Sequence, residues 1–284
     1  MSAPSPVSDE TREFAGCPAG GLTEAPGGRP IVTRIGDHEI HALEFGAGEE
    51  PIILIHGLSG SSRWWVRNIP ALAAHWRILV PDLIGFGRSR ATGPLPDMPE
   101  IALLLLEWID SMALRRVHLV GHSMGGQISI HLAVHSPERV ASLILVDAAG
   151  IPRPMTPRSL FRFAAEAGPL WRWGDPAFLP VIARDAWTAG PRVLLRAIRH
   201  IVRDDVRPLL PELRVPTLII WGERDTLVPL SDASEFHRLI AGARLAVLRG
   251  AAHNPMVDRP AAFNRIVSAF LDGKAVGTRH PNGG

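Results

Sequence analysis

Ser123, Asp225 and His253 are the residues whose types and positions suit them to act together. Ser123 lies in Gly121-His122-Ser123-Met124-Gly125, between a short apolar run and a helix-like segment. Glycines on both sides of a serine at such a junction permit a sharp, strained turn that lifts the hydroxyl clear of a sheet. A hydroxyl is a weak nucleophile until a base takes its proton. Imidazole suits that task because its ordinary pKa lies near neutrality. A carboxylate then fixes the imidazole tautomer and stabilises the imidazolium that forms. Asp225 ends the stretch Thr217-Leu218-Ile219-Ile220-Trp221-Gly222-Glu223-Arg224-Asp225, and His253 sits in Gly250-Ala251-Ala252-His253-Asn254-Pro255, past the apolar run 245–248. The chemistry open to such a set is nucleophilic attack on a carbonyl carbon. Glu223 and Asp147, the latter also at the end of an apolar run, compete for the acid role. His118 and His122 have no carboxylate near them in sequence. His131 and His135 have the i, i+4 spacing zinc can use, but no glutamate follows His131, and they read as surface or packed helix residues.

Attack on a carbonyl creates an oxyanion, which needs preset donors. His56-Gly57-Leu58-Ser59-Gly60 follows the apolar run 51–55, and a glycine-rich loop there can aim a backbone N–H at the reaction. The amides of Leu58 and Met124 are the expected pair. Losing one such donor typically costs about 3 kcal/mol of transition-state stabilisation. Asp82-Leu83-Ile84-Gly85-Phe86-Gly87-Arg88-Ser89 lacks the glycine spacing of a phosphate cradle and reads as a structural turn.

Strands are expected at 30–35, 39–45, 51–55, 76–81, 117–121, 141–147, 215–221 and 244–248, and helices at 62–74, 99–113, 124–136, 231–241 and 259–271. The first two strands suit a hairpin around Gly36-Asp37. The alternation that follows implies an α/β fold: a mainly parallel eight-stranded sheet with helices on both faces. All three candidate residues then fall at the carboxyl ends of strands, where sites form in open sheets. Residues 152–212 break the rhythm and read as a helical cap inserted into a core of 29–151 and 213–272. Residues 1–28 and 273–284 read as tails rich in small residues and proline or glycine.

The chain has 284 residues, ample for one large domain with a buried core, and is 46% apolar and 20% charged. No apolar run approaches the roughly 20 residues of a membrane span. Asp9, Glu10, Arg12 and Glu13 interrupt any leader-like apolar segment, and a cytoplasmic location is expected. Cys17 is the sole cysteine, so neither an intrachain disulfide nor a thiolate metal cluster can form. Net charge is +2 and basic runs interleaved with aromatics are absent, which argues against nucleic acid as a partner.

These motifs together resemble the α/β-hydrolase superfamily over about residues 30–272. The resemblance rests on His56-Gly57, Asp82 through Ser89, Gly121 through Gly126, Trp221 through Asp225, and Ala252-His253. It implies a Ser123–Asp225–His253 triad, no metal or organic cofactor, and hydrolysis of a small-molecule carboxylic ester through an acyl-enzyme. Dehalogenases and epoxide hydrolases of the superfamily carry aspartate where this chain has Ser123. The C–C hydrolases of ring-cleavage pathways carry Asn before the serine and Trp after the histidine, where His122 and Asn254 stand here. The chain is more similar to the broad esterase group. C–C hydrolysis, lactone hydrolysis and acyl transfer remain alternatives with the same triad, as does a non-catalytic ligand-binding protein on the same fold.

Residues 153–214 contain eleven Arg against six Asp plus Glu, a local net of +5. Phe161, Trp171 and Trp187 in this segment, with Trp64 and Trp65 after the glycine-rich loop, are the expected pocket lining. Arg192, Arg196, Arg199 and Arg203 trace one helix face, read as solvated. Leu194, Leu195, Ile198 and Ile201 lie largely on another.

Overall fold

A computed structural model describes residues 27–152 and 174–275. Eight strands form one sheet: β1 (Arg29–Ile35), β2 (His38–Phe45), β3 (Ile52–Ile55), β4 (Ile78–Pro81), β5 (Val117–His122), β6 (Val140–Val146), β7 (Thr217–Gly222) and β8 (Arg244–Leu248), in the order β1-β2-β4-β3-β5-β6-β7-β8. The β1–β2 hairpin turns at Gly36-Asp37, and β2 also pairs antiparallel with β4. Every later pairing is parallel. Each strand lies within two residues of its expected position.

The apolar strands are buried on both sides. Ile53, Ile55, Leu143, Leu145 and Ile219 enter one core with α2 (Met98–Ser111), α3 (Met124–His135) and α5 (Leu230–Leu239). Ile52, Leu54, Ile144, Val146 and Ile220 enter the other with α1 (Ile69–Ala73) and α7 (Pro260–Leu271). Strand alternation thus feeds two cores, as a sheet covered on both faces requires.

One expected helix is split, and another is found intact behind a short helix not expected. Residues 62–74 form a 3-10 turn, Ser62–Trp65, and then α1; residues 259–271 are preceded by a separate short helix, α6 (Pro255–Asp258). Pro70 explains the break in 62–74, and Pro260 the start of α7, since proline lacks the N–H that a helix interior needs and is tolerated only in the first turn. By contrast, α2 begins with a capping box: Asp97 accepts from the Glu100 amide at 3.0 Å, and Glu100 accepts from the Asp97 amide at 2.8 Å. Such a cap is worth about 1 kcal/mol.

Between β6 and β7 lies α4 (Leu179–Arg203), broken at Gly190, whose φ of 76° precedes Pro191. Two attachments hold it, one buried at Asp185 and one part-buried at Asp204. Asp185 accepts from Ser61 Oγ at 2.6 Å and from Arg63 Nη1 at 3.2 Å, in the loop after β3. Just past the helix, Asp204 accepts from Gln127 Nε2 at 2.7 Å and His131 Nε2 at 2.8 Å, both on α3. Arg192, Arg196, Arg199 and Arg203 are exposed, as expected for a solvated face. Leu195 departs from the expected apolar packing: it is 58% exposed, and Ile198 is 36% exposed.

Candidate active site

The turn at Ser123 joins β5 to α3 with φ 52° and ψ −115°, a sparsely populated conformation for a residue with a side chain. Neighbouring contacts enforce it. A Cβ on Gly121 would lie 2.5 Å from the Gly125 carbonyl oxygen, and one on Gly125 would lie 2.6 Å from the Ile55 and His56 carbonyls. The Ser123 amide donates to Val146 O at 2.9 Å, and its carbonyl accepts from Ala149 N at 3.1 Å, tying the turn to the end of β6.

Asp225 follows β7. Its Oδ1 accepts from the amides of Leu227 at 2.8 Å and Val228 at 3.0 Å, which fixes the carboxylate plane. Its Oδ2 accepts from His253 Nδ1–H at 2.7 Å. His253 Nε2, left as the acceptor nitrogen, lies 3.2 Å from Ser123 Oγ. The three side chains come from loops after β5, β7 and β8 and are all buried. Close approach of the last two loops depends on Gly222, because a Cβ there would collide with the Ala252 carbonyl. Asp258 holds the histidine loop by accepting from Ala252 N at 2.7 Å.

The competing groups have other partners. Glu223 accepts from Gly250 N at 2.8 Å. His118 meets Ser142 Oγ at 2.8 Å near the start of β5. His131 is bonded to Asp204. The turn from Asp82 to Ser89 is structural: Asp82 accepts from Ser62 N at 2.6 Å and Arg88 N at 2.8 Å.

The loop after β3 passes close to Ser123, since a Cβ on Gly57 would lie 3.0 Å from Ser123 Cβ. His56 braces that loop, donating from Nδ1 to Gly57 O at 2.8 Å and accepting at Nε2 from Leu83 N at 2.9 Å. Burial holds its pKa below the ordinary imidazole value, against the pull of Asp82. Leu58 is part-buried in this loop. Met124 is the first residue of α3, where amides have no intrahelical acceptor.

Sequence spacing gave no hint of what His122 does. It is fully buried; its Nε2–H donates to the His253 carbonyl at 2.7 Å, and its Nδ1 has no partner. Burial, and next the neighbouring His253, push its pKa well below the ordinary value, so it is neutral. Its ring lies 4.9 Å from that of His253 and 5.6 Å from Trp64.

Trp64, at 4% exposure, borders this group and also meets Phe178 of the inserted segment at 5.6 Å. Trp65 does not serve as pocket lining: fully buried, it packs in the core 6.2 Å from Phe263. Nor does Trp187, which is 89% exposed on α4. Phe161 and Trp171 lie outside the described residues.

Among the described residues, His122, Asp147 and His253 bring one potential metal ligand atom each within 4.8 Å of one another. His253 has both nitrogens in the Asp225 and Ser123 contacts, which leaves His122 Nδ1 and one Asp147 oxygen of this group, fewer donors than a resident metal takes. No helix among the described residues is long and apolar enough to cross a membrane.

A family model described as "Alpha/beta hydrolase family" matches residues 52–266, which include β3 to β8 and Ser123, Asp225 and His253. The chain belongs to the alpha/beta hydrolase family. This hydrolase is 31% identical over 271 residues to the dihydrolipoyllysine-residue acetyltransferase component of an acetoin cleaving system from Pseudomonas putida, covering 89% of this chain and 72% of that one. It is 30% identical to the proposed carbamate hydrolase RutD of Pseudomonas syringae pv. syringae (strain B728a), over 82% and 98% of the two chains. Among solved structures it is similar to a membrane phospholipase A described as a bacterial virulence factor, with TM-score 0.75, 26% identity, and coverage of 87% and 86%.

Proposed function

We propose that this hydrolase cleaves carboxylic esters of small molecules through an acyl-enzyme on Ser123. The observation that carries the reading is the hydrogen-bonded chain from Asp225 through His253 to Ser123, with the serine on a strained turn at the start of α3. His253 Nε2 takes the hydroxyl proton as Oγ bonds to the ester carbon, and the amides of Leu58 and Met124 receive the oxyanion. Collapse of the tetrahedral intermediate breaks the C–O bond, and the alcohol leaves with the proton from His253. Water, deprotonated by the same imidazole, then releases the acid and restores Ser123. No step calls for a metal or an organic cofactor. The 152–212 segment acts as a cap, and Trp64 with Phe178 gives the site an apolar side suited to moderate-sized acyl groups.

Ser123→Ala should reduce turnover of p-nitrophenyl butyrate by about six orders of magnitude, the scale seen when a triad serine is lost. Undiminished turnover would overturn the assignment. An acceptor other than water remains a second reading, favoured by the acetyltransferase name of one relative. A panel of esters, lactones, carbamates and dienoate ring-cleavage products, each run with alcohol or thiol acceptors, separates these outcomes.

A further inference from the structure

Five large apolar side chains are exposed among the described residues, and three of them, Trp187 at 89%, Leu195 at 58% and Ile198 at 36%, lie on α4. Singly exposed apolar residues are ordinary, but their gathering on one helix is not. The charges of this helix are one-sided too. It carries Arg184, Arg192, Arg196, Arg199 and Arg203, all exposed, and its one acid, Asp185, is buried against Ser61 and Arg63. Asp204 and Asp205, next in the chain, are taken by Gln127 and His131 and by Arg207. The outer arginines therefore have no acid in their own helix to answer them. Residues 153–214 hold a net charge of +5 in a chain of +2, which leaves −3 on the rest, so positive charge is concentrated in this segment.

Beyond the break at Gly190 the two kinds of residue run side by side. Arg192, Arg196, Arg199 and Arg203 recur at intervals of four, three and four, the spacing of one helix stripe. Leu195 and Ile198, three residues apart, border that stripe, while Ala197 turns inward and is buried. Before the break, Pro180, Ala183, Arg184 and Trp187 share the exposed side. Such a surface fits a partner that takes arginine and apolar side chains at once. A second copy docking through the same face would set the arginines against one another. A groove that seats an amphipathic helix takes its apolar face, and here that face, with Val181 and Ala197, is committed to the fold. A nucleic-acid backbone answers the arginines but has no use for Leu195 and Ile198. A bilayer surface rich in anionic lipid meets both requirements. Headgroup phosphates pair with the guanidinium groups, while the aliphatic side chains and the indole ring lie at the boundary with the acyl chains.

We propose that the outer side of α4 is a docking surface for an anionic phospholipid bilayer, on which the protein lies without spanning it. The proposal is independent of the bond that Ser123 cleaves.

The test is sedimentation of the full chain with vesicles of phosphatidylcholine alone or of equal parts phosphatidylcholine and phosphatidylglycerol. Binding should be at least about 100-fold tighter on the anionic vesicles. It should be lost near 1 M salt, where the screening length is about 3 Å. Arg192→Gln, Arg196→Gln and Arg199→Gln should each weaken it about five-fold, the equivalent of about 1 kcal/mol. Trp187→Ala and Leu195→Gln should also weaken it, without changing its salt dependence. Turnover of p-nitrophenyl butyrate in the absence of vesicles should be the same in all of these variants, because every substituted side chain is on the exposed side. Equal binding to the two kinds of vesicle, or arginine variants that bind like the wild type, would overturn the proposal. So would binding that is intact in Trp187→Ala and Leu195→Gln and is competed away by polyglutamate, since the partner would then be an acidic macromolecule and not a lipid surface. Ser123→Ala should bind the anionic vesicles as the wild type does whether or not it keeps its turnover, so failure of the esterase reading and failure of this one are told apart.

Discussion

The imidazole of His122 donates to the backbone carbonyl of His253 at 2.7 Å, so the residue before Ser123 holds the main chain of its hydrogen-bond partner. The bond needs a proton on Nε2 and leaves Nδ1 a bare acceptor in a buried position. It therefore suits a neutral ring, which burial favours. A histidine held neutral in the fold contributes stability that is present above its unfolded value of 6.5 and lost as pH falls below it. Thermal midpoints should drop between pH 7 and pH 5. His122→Gln, which keeps a donor without a titrating ring, should flatten part of that slope. His56 and His118, whose pKa values burial also lowers, add to it with the same sign, and Asp147, whose carboxyl burial holds well above its ordinary range, opposes it. An unchanged slope in His122→Gln would count against this account.

Asp185 joins α4 to the loop that carries Leu58. Replacing it with alanine removes a fully buried carboxylate from Ser61 Oγ and from Arg63, whose side chain is only 10% exposed. Losing hydrogen bonds to a buried charged group typically costs about 1.5–3 kcal/mol. Asp185→Ala should show a clear fall in unfolding free energy by denaturant titration, together with a lower kcat from a loosened loop. Asp185→Asn, which still accepts from Ser61, should lose less.

Trp64 and Trp187 offer a matched contrast. Trp64→Ala opens a cavity beside His122 and Phe178 and should cost about 3–5 kcal/mol while raising KM for longer acyl esters. Trp187→Ala removes an exposed side chain and should change stability by no more than about 0.5 kcal/mol. A KM shift from Trp187→Ala that equals the one from Trp64→Ala would contradict the placement.

Gly222→Ala tests the approach of the two loops. Its methyl would press on the Ala252 carbonyl, next to His253. Overpacking of this kind costs about 1–3 kcal/mol, and the displaced histidine should lower kcat more than it raises KM. A crystal structure of the variant with an unmoved His253 would exclude that route.

The sheet was legible because strands buried on both faces appear as short apolar runs, and glycine punctuation marked where they end. Ser123, Asp225 and His253 were legible for the same reason: each sits just past such a run. His122 was not, because its partner lies 131 positions away and it bonds to a main-chain atom, which leaves no residue pattern. Asp185 was equally silent, though a lone acid in an arginine-rich helix was a signal available to a closer reading. Trp187 was misplaced because an aromatic in an inserted segment suggests a pocket, whereas the helix turns it outward. Trp65 was misplaced because adjacent residues after a loop cannot share one direction, and only Trp64 faces His122. Pro70, whose missing amide opposes the apolar periodicity of 62–74, marks the break in that helix.

Asp185 and Asp204 fasten α4 at two points, and the break at Gly190-Pro191 falls between them. The helix is therefore two modules. Residues 179–189 share a fastening with the loop that carries Leu58, whereas the end of 191–203 is fastened through Asp204 to Gln127, in the first turn of α3 after Ser123, and to His131. Each module is thus tied to one flank of Ser123, the first to the loop beside it and the second to the helix it opens, so a rebuilt segment that keeps Asp185 and Asp204 keeps both alignments.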